Sequence, residues 1–126
     1  MIKIKHLMDA SEPDDGDRLW VEPYGLTKDL CDWCGVDHLV SHLGPPAKLW
    51  EWFDEHPQGY VFFRARYHEA LANGPFKEAL LQLASIGKRD NFTLLHDEMD
   101  AERNSAMALY EYLSELEAYC PPDPEA

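Results

Sequence analysis

The sequence predicts an α/β fold: a small parallel three-stranded sheet flanked by helices, in a single domain. Two observations carry this. Three short segments have strand-like apolar patterning, and four or five segments with helical periodicity lie between and after them. The order strand, strand, helices, strand, helix separates strands by helices, which favours parallel pairing with both faces of the sheet covered.

Each element has a local reason. In "IKIKHL", residues 2–7, Ile2 and Ile4 alternate with Lys3 and Lys5, which suits a first strand with one polar face. "ASEPDDGD" is acidic turn material with Pro13 and Gly16 as breakers. Residues 18–22 read as a second short strand, closed by Pro23 and Gly25. Thr27 caps a short helix from Lys28, and Gly35 ends it. Val36, Leu39, Val40 and Leu43 fall at i, i+3, i+4 and i+7 and predict a helix stopped by Gly44 and Pro45. Pro46 opens the next, with Leu49, Trp52 and Phe53 on one face until Pro57. Tyr60, Phe63, Tyr67, Ala70 and Leu71 mark a longer helix ending near Gly74. Phe76, Ala79, Leu80 and Leu83 mark another ending near Gly87. "NFTLLH", residues 91–96, is too short for a helix and predicts a buried third strand. Asp100 is expected to cap the last helix, with Ala106, Leu109, Tyr110, Leu113 and Leu116 as its stripe. The expected division is an α/β domain over 1–119 and a flexible tail, "CPPDPEA", over 120–126.

Composition narrows the function classes. The 126 residues carry 11 Lys and Arg against 24 Asp and Glu, a formal net charge of −13. Such a surface repels phosphate backbones and anionic lipid, so neither nucleic acid nor membrane is expected as a partner. No apolar run approaches the roughly 20 residues of a transmembrane helix. "MIKIKHLMDA" has neither the long apolar stretch nor the cleavage-like site of a signal peptide. Three cysteines, an odd number, then argue for reduced thiols and a cytoplasmic location.

The most chemical-looking segment is "CDWCGVDHLVSH", residues 31–42. Cys31, Cys34, His38 and His42 are zinc-ligand types, but a straight helix rises roughly 16 Å over that span while ligands of one ion lie within about 4 Å. Gly35 would have to break the helix and fold the CxxC back onto the histidines. A redox pair needs a thiol of lowered pKa among cations, whereas Asp29, Asp32 and Asp37 surround these thiols. Two ordinary thiols and two solvent-facing histidines are the favoured reading, with no metal and no cofactor. Asp9, Glu12, Asp14, Asp15 and Asp17 lack the alternating frame of a calcium loop and read as a solvated turn. Trp50 falls outside the apolar stripe of its helix and is expected to cover an edge or a partner surface. No nucleophile signature, Gly-rich phosphate loop or paired-carboxylate motif is present.

"SEPDDGDRLWVEP-YGLTK", "VDHLVSHLGPPAKLWEWF", "FFRARYHEAL" and "FTLLHDEMDAERNSAMALYEYL" together resemble the YeaO-like family, the small bacterial proteins of the domain of unknown function DUF488. The resemblance runs from Ile2 to about Leu113 and implies a compact α/β fold with no settled activity. Its most specific pieces are Pro13-Asp14-Asp15-Gly16, Trp52-Phe53, Phe63-Arg64 with Arg66-Tyr67, Thr93-Leu94-Leu95 and Asn104. Family members carry a strand after the Pro-Asp-Asp-Gly turn and then Asp-Arg-Leu-Trp-Pro-Arg-Gly, whereas here only "DRLWVEPYG" covers both. Either residues 18–22 are the strand, or Asp17-Arg18-Leu19-Trp20 is the motif and the strand is lost. The first is preferred, because losing a central strand would leave its neighbours unpaired. In both, Tyr24 stands where the second arginine would be. In the resemblance, His38 and His42 occupy helix positions that are not usually histidine, and "CDWCG" overlaps a small insertion.

In open α/β sheets ligands sit beyond the carboxyl ends of the strands. Those ends carry Asp9, then Glu22 and Tyr24, then His96, Asp97 and Glu98, with Arg103 and Asn104 placed in the first turn of the last helix, where anions are favoured. The leading expectation is a site for a small anionic or polar ligand formed by Arg18, Tyr24, His96, Asp97 and Asn104. Two alternatives stand beside it: an interaction module without chemistry, using the acidic surface and exposed aromatics such as Trp50, and a CxxC/HxxxH zinc or redox protein. Whether there is catalysis is left open.

Overall fold

The computed structural model describes residues 1–119, and the tail expected over 120–126 lies outside the described residues. Four parallel strands form one sheet in the order β1-β4-β2-β3: β1 is Ile2–His6, β2 Asp17–Trp20, β3 His38–Leu39 and β4 Phe92–His96. The helices are α1 (Lys28–Cys34), α2 (Ala47–Glu55), α3 (Tyr60–Asn73), α4 (Lys77–Arg89) and α5 (Ser105–Tyr119). The α/β class and the parallel sheet are as expected; the sheet has four strands, not three.

The extra strand replaces the helix expected over 36–43. Gly35, at φ +67°, ends α1 in a left-handed cap whose N–H donates to the Cys31 carbonyl. The chain then pairs with the free edge of β2: the Arg18 N–H donates to the Asp37 carboxylate (2.8 Å), the Asp37 N–H to the Arg18 carbonyl (2.9 Å) and the Val40 N–H to the Trp20 carbonyl (2.9 Å). The apolar residues that mimic a helix stripe separate. Val36 packs on one face of the sheet, Val40 and Leu43 on the other, and Leu39 is exposed. A strand edge in need of partners decides the conformation here. The strand after the acidic turn is kept but runs Asp17–Trp20 rather than 18–22.

Register divides the sheet into two unlike faces. Ile4, Leu94 and Leu19 form one row and, with Ile2, Phe92 and Val21, meet α2 to α5. α3 presents Tyr60, Phe63, Tyr67 and Leu71 of the expected stripe, while Ala70 is exposed, and Phe63 stacks on Phe53 at 4.3 Å. The Tyr67 hydroxyl donates to the Leu43 carbonyl (2.6 Å). α5 adds Ala106, Leu109 and Leu113, all fully buried. It is capped by Asn104 rather than Asp100. Asn104 Oδ1 accepts the Met107 N–H (2.7 Å), and Asn104 therefore precedes the helix. The Asp100 carboxylate instead accepts the Glu102 and Arg103 N–H groups, shaping the loop before it.

The opposite face is covered by α1 and by the segment 7–16, which crosses from β1 over β4 to β2. Leu7, Trp20, Cys34 and Leu95 form a small cluster there. Beside it lies a row of Lys3, Thr93 and Arg18. Asp15, fully buried, sits over that row. Its carboxylate accepts from Arg18 (2.7 Å), Lys5 (3.1 Å), Lys3 (3.2 Å) and the Glu12 N–H (3.2 Å), and its carbonyl accepts from Thr93 Oγ1 (2.8 Å). Arg18, 1% exposed, also donates to the carbonyls of Asp9 and Cys34, both at 3.0 Å. The acidic turn is therefore only partly the solvated turn expected, since Asp15 is an internal ion-pair centre. Gly16 makes the arrangement fit: its φ is +63°, and a Cβ there would lie 1.8 Å from the Asn91 carbonyl oxygen.

Burial alone would raise the Asp15 pKa, but hydrogen bonds from Arg18, Lys5, the Glu12 backbone and Lys3 outweigh it and hold the carboxyl far below the usual range. A carboxyl with a depressed folded pKa stabilises above its unfolded value, about 4, and loses that contribution as pH falls below it. Asp15→Asn leaves the Arg18 charge uncompensated and is expected to cost about 3–5 kcal/mol at pH 7. In urea unfolding, the gap between wild type and variant should narrow below about pH 4.

Candidate functional site

Beyond the carboxyl ends of β2 and β4 the chain leaves a cleft of about 630 Å³. Its walls come from the segment after β2, from α2, and from the loop between β4 and α5. Trp20 donates its Nε1 proton to the Tyr24 carbonyl (2.6 Å) and so folds residues 20–24 into a bend. The Tyr24 ring then stands edge-on to Trp50 of α2, centroids 5.3 Å apart, while its hydroxyl donates to Glu51. Trp20, Tyr24, Trp50 and Phe53 give the cleft an aromatic wall.

The polar centre is a pair of carboxyls. Glu22, 3% exposed, follows β2, and Glu98 follows β4; because these strands are neighbours, the two carboxyls are brought side by side. Glu22 Oε1 also accepts the Asp97 N–H (3.2 Å). Glu98 accepts from Trp50 Nε1 (3.1 Å), from Ser105 Oγ (2.7 Å) and from the Ser105 N–H at the start of α5 (3.2 Å). Two carboxylates side by side repel, which favours a proton on one of them. Burial, then the neighbouring Glu98 and its charge, push Glu22 up to about 8. Asp54, Asp97, Asp100 and Arg103 also line the cleft, so its charges are mainly negative. A second hollow of about 400 Å³, beside His42 and Phe76, has no such pair.

The five residues expected at the site are placed differently. Tyr24 and Asp97 line the cleft. His96 is buried behind it: its Nδ1 accepts the Glu98 N–H (3.2 Å), and its ring stands edge-on to His6 at 5.5 Å. Burial and the neighbouring His6 lower its pKa to about 4, so the ring is neutral at pH 7. The Asp97 carboxylate lies 3.3 Å from His6 Nε2. Arg18 lies in the Asp15 network on the α1 side of the sheet, and Asn104 caps α5. Trp50, expected to cover an edge or a partner surface, lines this cleft. The Glu22–Glu98 pair is absent from the sequence-based site because residues 76 apart meet only once β2 and β4 are known to be adjacent.

The cysteine-histidine segment disperses. Cys31 and Cys34 lie on α1, with the buried Cys34 Sγ 3.8 Å from Met8 Sδ. His38 on β3 is 3.4 Å from Asp17, and the His42 ring meets Phe76 edge-on. Among the described residues, no group of three or more His, Cys, Asp or Glu side chains is arranged to hold a metal ion. Nor is any helix among them long and apolar enough to cross a membrane.

The pair has a signature in stability. Glu22 binds a proton more tightly folded than unfolded, so it favours folding at low pH, and that contribution is lost as pH rises from about 4.5 to about 8. His96 acts in the opposite sense, its contribution being present above about 6.5 and lost as pH falls toward 4. Between pH 6.5 and 8 the His96 slope fades, and it cancels in a comparison with a variant at Glu22. Glu22→Gln keeps a donor toward Glu98 and cannot ionise. Wild type should lose stability relative to this variant across that window, by on the order of 1 kcal/mol per pH unit; paired denaturant titrations measure it.

Comparison with known proteins finds relatives along nearly the whole chain. The family model described as "Domain of unknown function DUF488" matches residues 3–113. The uncharacterised protein YeaO of Escherichia coli K12 is 31% identical over 121 residues, covering 91% of this chain and 98% of YeaO. The uncharacterised proteins Rv3073c of Mycobacterium tuberculosis H37Rv and Mb3100c of Mycobacterium bovis are each 26% identical over 119 residues, covering 90% of this chain and 93% of theirs. No solved structure matches. With the family model spanning both the Asp15 turn and the cleft, the chain belongs to the DUF488 family, whose members share this domain of unknown function.

Proposed function

We propose that this protein binds a small polar molecule in the cleft beyond β2 and β4. The observation that carries the reading is the adjoining pair of a buried Glu22 and a half-buried Glu98 opening onto a cleft with an aromatic wall. An apolar hollow of this size with a few convergent polar groups and a strongly shifted carboxyl is the usual form of a ligand site. Its position at the strand ends is the one that open α/β sheets favour. Tyr24 and Asp97 act as wall residues together with Glu22, Trp50 and Glu98. Arg18 and Asn104 hold the frame from outside the cleft, and His96 positions the Glu98 backbone from behind. The negative lining argues against the anion that the start of α5 suggested, because Glu98 already occupies the Ser105 N–H.

Gly25 offers a clean test. It lines the cleft, and a Cβ there would meet no heavy atom within 4 Å. Gly25→Phe should therefore fill the cleft while leaving thermal unfolding within a few degrees of wild type. In an NMR fragment screen, compounds that shift the Trp20 and Trp50 indole N–H resonances in wild type should lose those shifts in the variant. A screen in which no fragment moves either indole in wild type defeats the reading.

A further inference from the structure

We propose that the ligand of this cleft is a monovalent organic cation, an amine or guanidinium carrying an apolar group. Its charge would rest against the Glu22–Glu98 carboxyls and its apolar part on Trp50 and Tyr24. The inference rests on the binding reading above and adds the chemical class.

Three features of the cleft converge on it. The first is charge: Glu22, Asp54, Asp97, Glu98 and Asp100 line the space against one cationic lining residue, Arg103. The Asp15 cluster shows the contrast, because there Lys3, Lys5 and Arg18 surround one carboxylate. The second is the wall. Indole and phenol faces attract cations, more strongly where water is excluded, and Trp50 is fixed by its Nε1 bond to Glu98 at 3.1 Å. The acceptor of that bond is a member of the carboxyl pair, so the ring and the negative charge are held side by side. The third is the shared proton. A neutral or anionic ligand leaves the pair as it is, whereas a cation replaces the proton as the positive charge between two carboxylates. Its binding therefore releases the Glu22 proton to solvent, converting one carboxylic acid and one carboxylate into two carboxylates around the cation.

The surrounding groups keep this exchange at the pair. Asp97 adjoins from the end of β4, and Asp54 comes from α2. Burial holds Tyr60 and Tyr67 of α3 neutral, helped at Tyr60 by Glu111 and at both by the Glu98 charge. His96 lies behind Glu98 and is neutral, while Asp100 and Arg103 stand on the loop before α5.

Three probes of one skeleton test the class: 2-phenylethylamine, 2-phenylethanol and phenylacetate, titrated calorimetrically at pH 7 in buffers of different ionisation enthalpy. The indole N–H resonances of Trp20 and Trp50 report the site. The amine should bind at least tenfold more tightly than the alcohol, phenylacetate should not bind, and amine binding should release up to about one proton. In Glu22→Gln amine binding should release none and weaken several-fold. An alcohol or carboxylate that moves the indoles and binds as tightly as the amine overturns the cation while leaving the cleft a binding site. Amine binding with no proton release in wild type overturns the role of the pair. If no probe of any charge moves the indoles, both the class and the cleft reading fall.

Discussion

The Asp15 carboxylate holds this fold in register. Parallel neighbours need a crossover, usually a helix that covers a sheet face with apolar side chains. Here β1 reaches β2 through the segment 7–16, which crosses over β4 with one 3-10 turn and no α-helix. Such a segment buries little apolar surface of its own. It is held by charge instead: Lys3 and Lys5 from β1 and Arg18 from β2 all donate to the same carboxylate, while Thr93 of β4 binds the Asp15 carbonyl. One residue thus ties three strands together at one level. Arg18 extends the tie to the end of α1 through the Cys34 carbonyl, a geometry that needs the planar fork of arginine and that lysine would not reproduce.

The two ends of the sheet then differ in electrostatics. Near the start of the strands, negative charge is surrounded by cations and closed off from water. Beyond their carboxyl ends, Glu22 and Glu98 face each other with a proton and no paired cation between them. Adjoining like-charged carboxyls are costly unless one is neutral, so folding raises the pKa of Glu22. The cleft carries that cost, while the paired charges lie at the opposite end of the same small sheet.

Much of the fold was legible in the residues. The alternation of Ile2 and Ile4 with lysines, the Thr27 cap, the α3 stripe and the short run at 91–96 each led to the right element, because each is decided by local chemistry or by a single buried face. The segment 36–43 misled because its apolar spacing satisfies a helix, while its conformation is set by a partner, the β2 edge, that only the tertiary structure supplies. The capping residue of α5 was displaced for a similar reason: Asp100 and Asn104 are both good caps, and the loop geometry chooses between them. Burial of Asp15 could not be read from a turn rich in carboxylates, since nothing local separates the one that meets three cations from those that meet water. The strand-end location of the cleft followed from topology. The carboxyl pair itself required strand order.

The division between the two ends has an evolutionary consequence. The residues that lock the sheet lie in the turn before β2 and in the strands, whereas the cleft is built from the segment after β2, one face of α2 and the loop before α5. Substitutions in the second group change the shape and charge of the cleft without touching the charge cluster that keeps the strands in place. The lining of the cleft is therefore free to vary while the frame is kept.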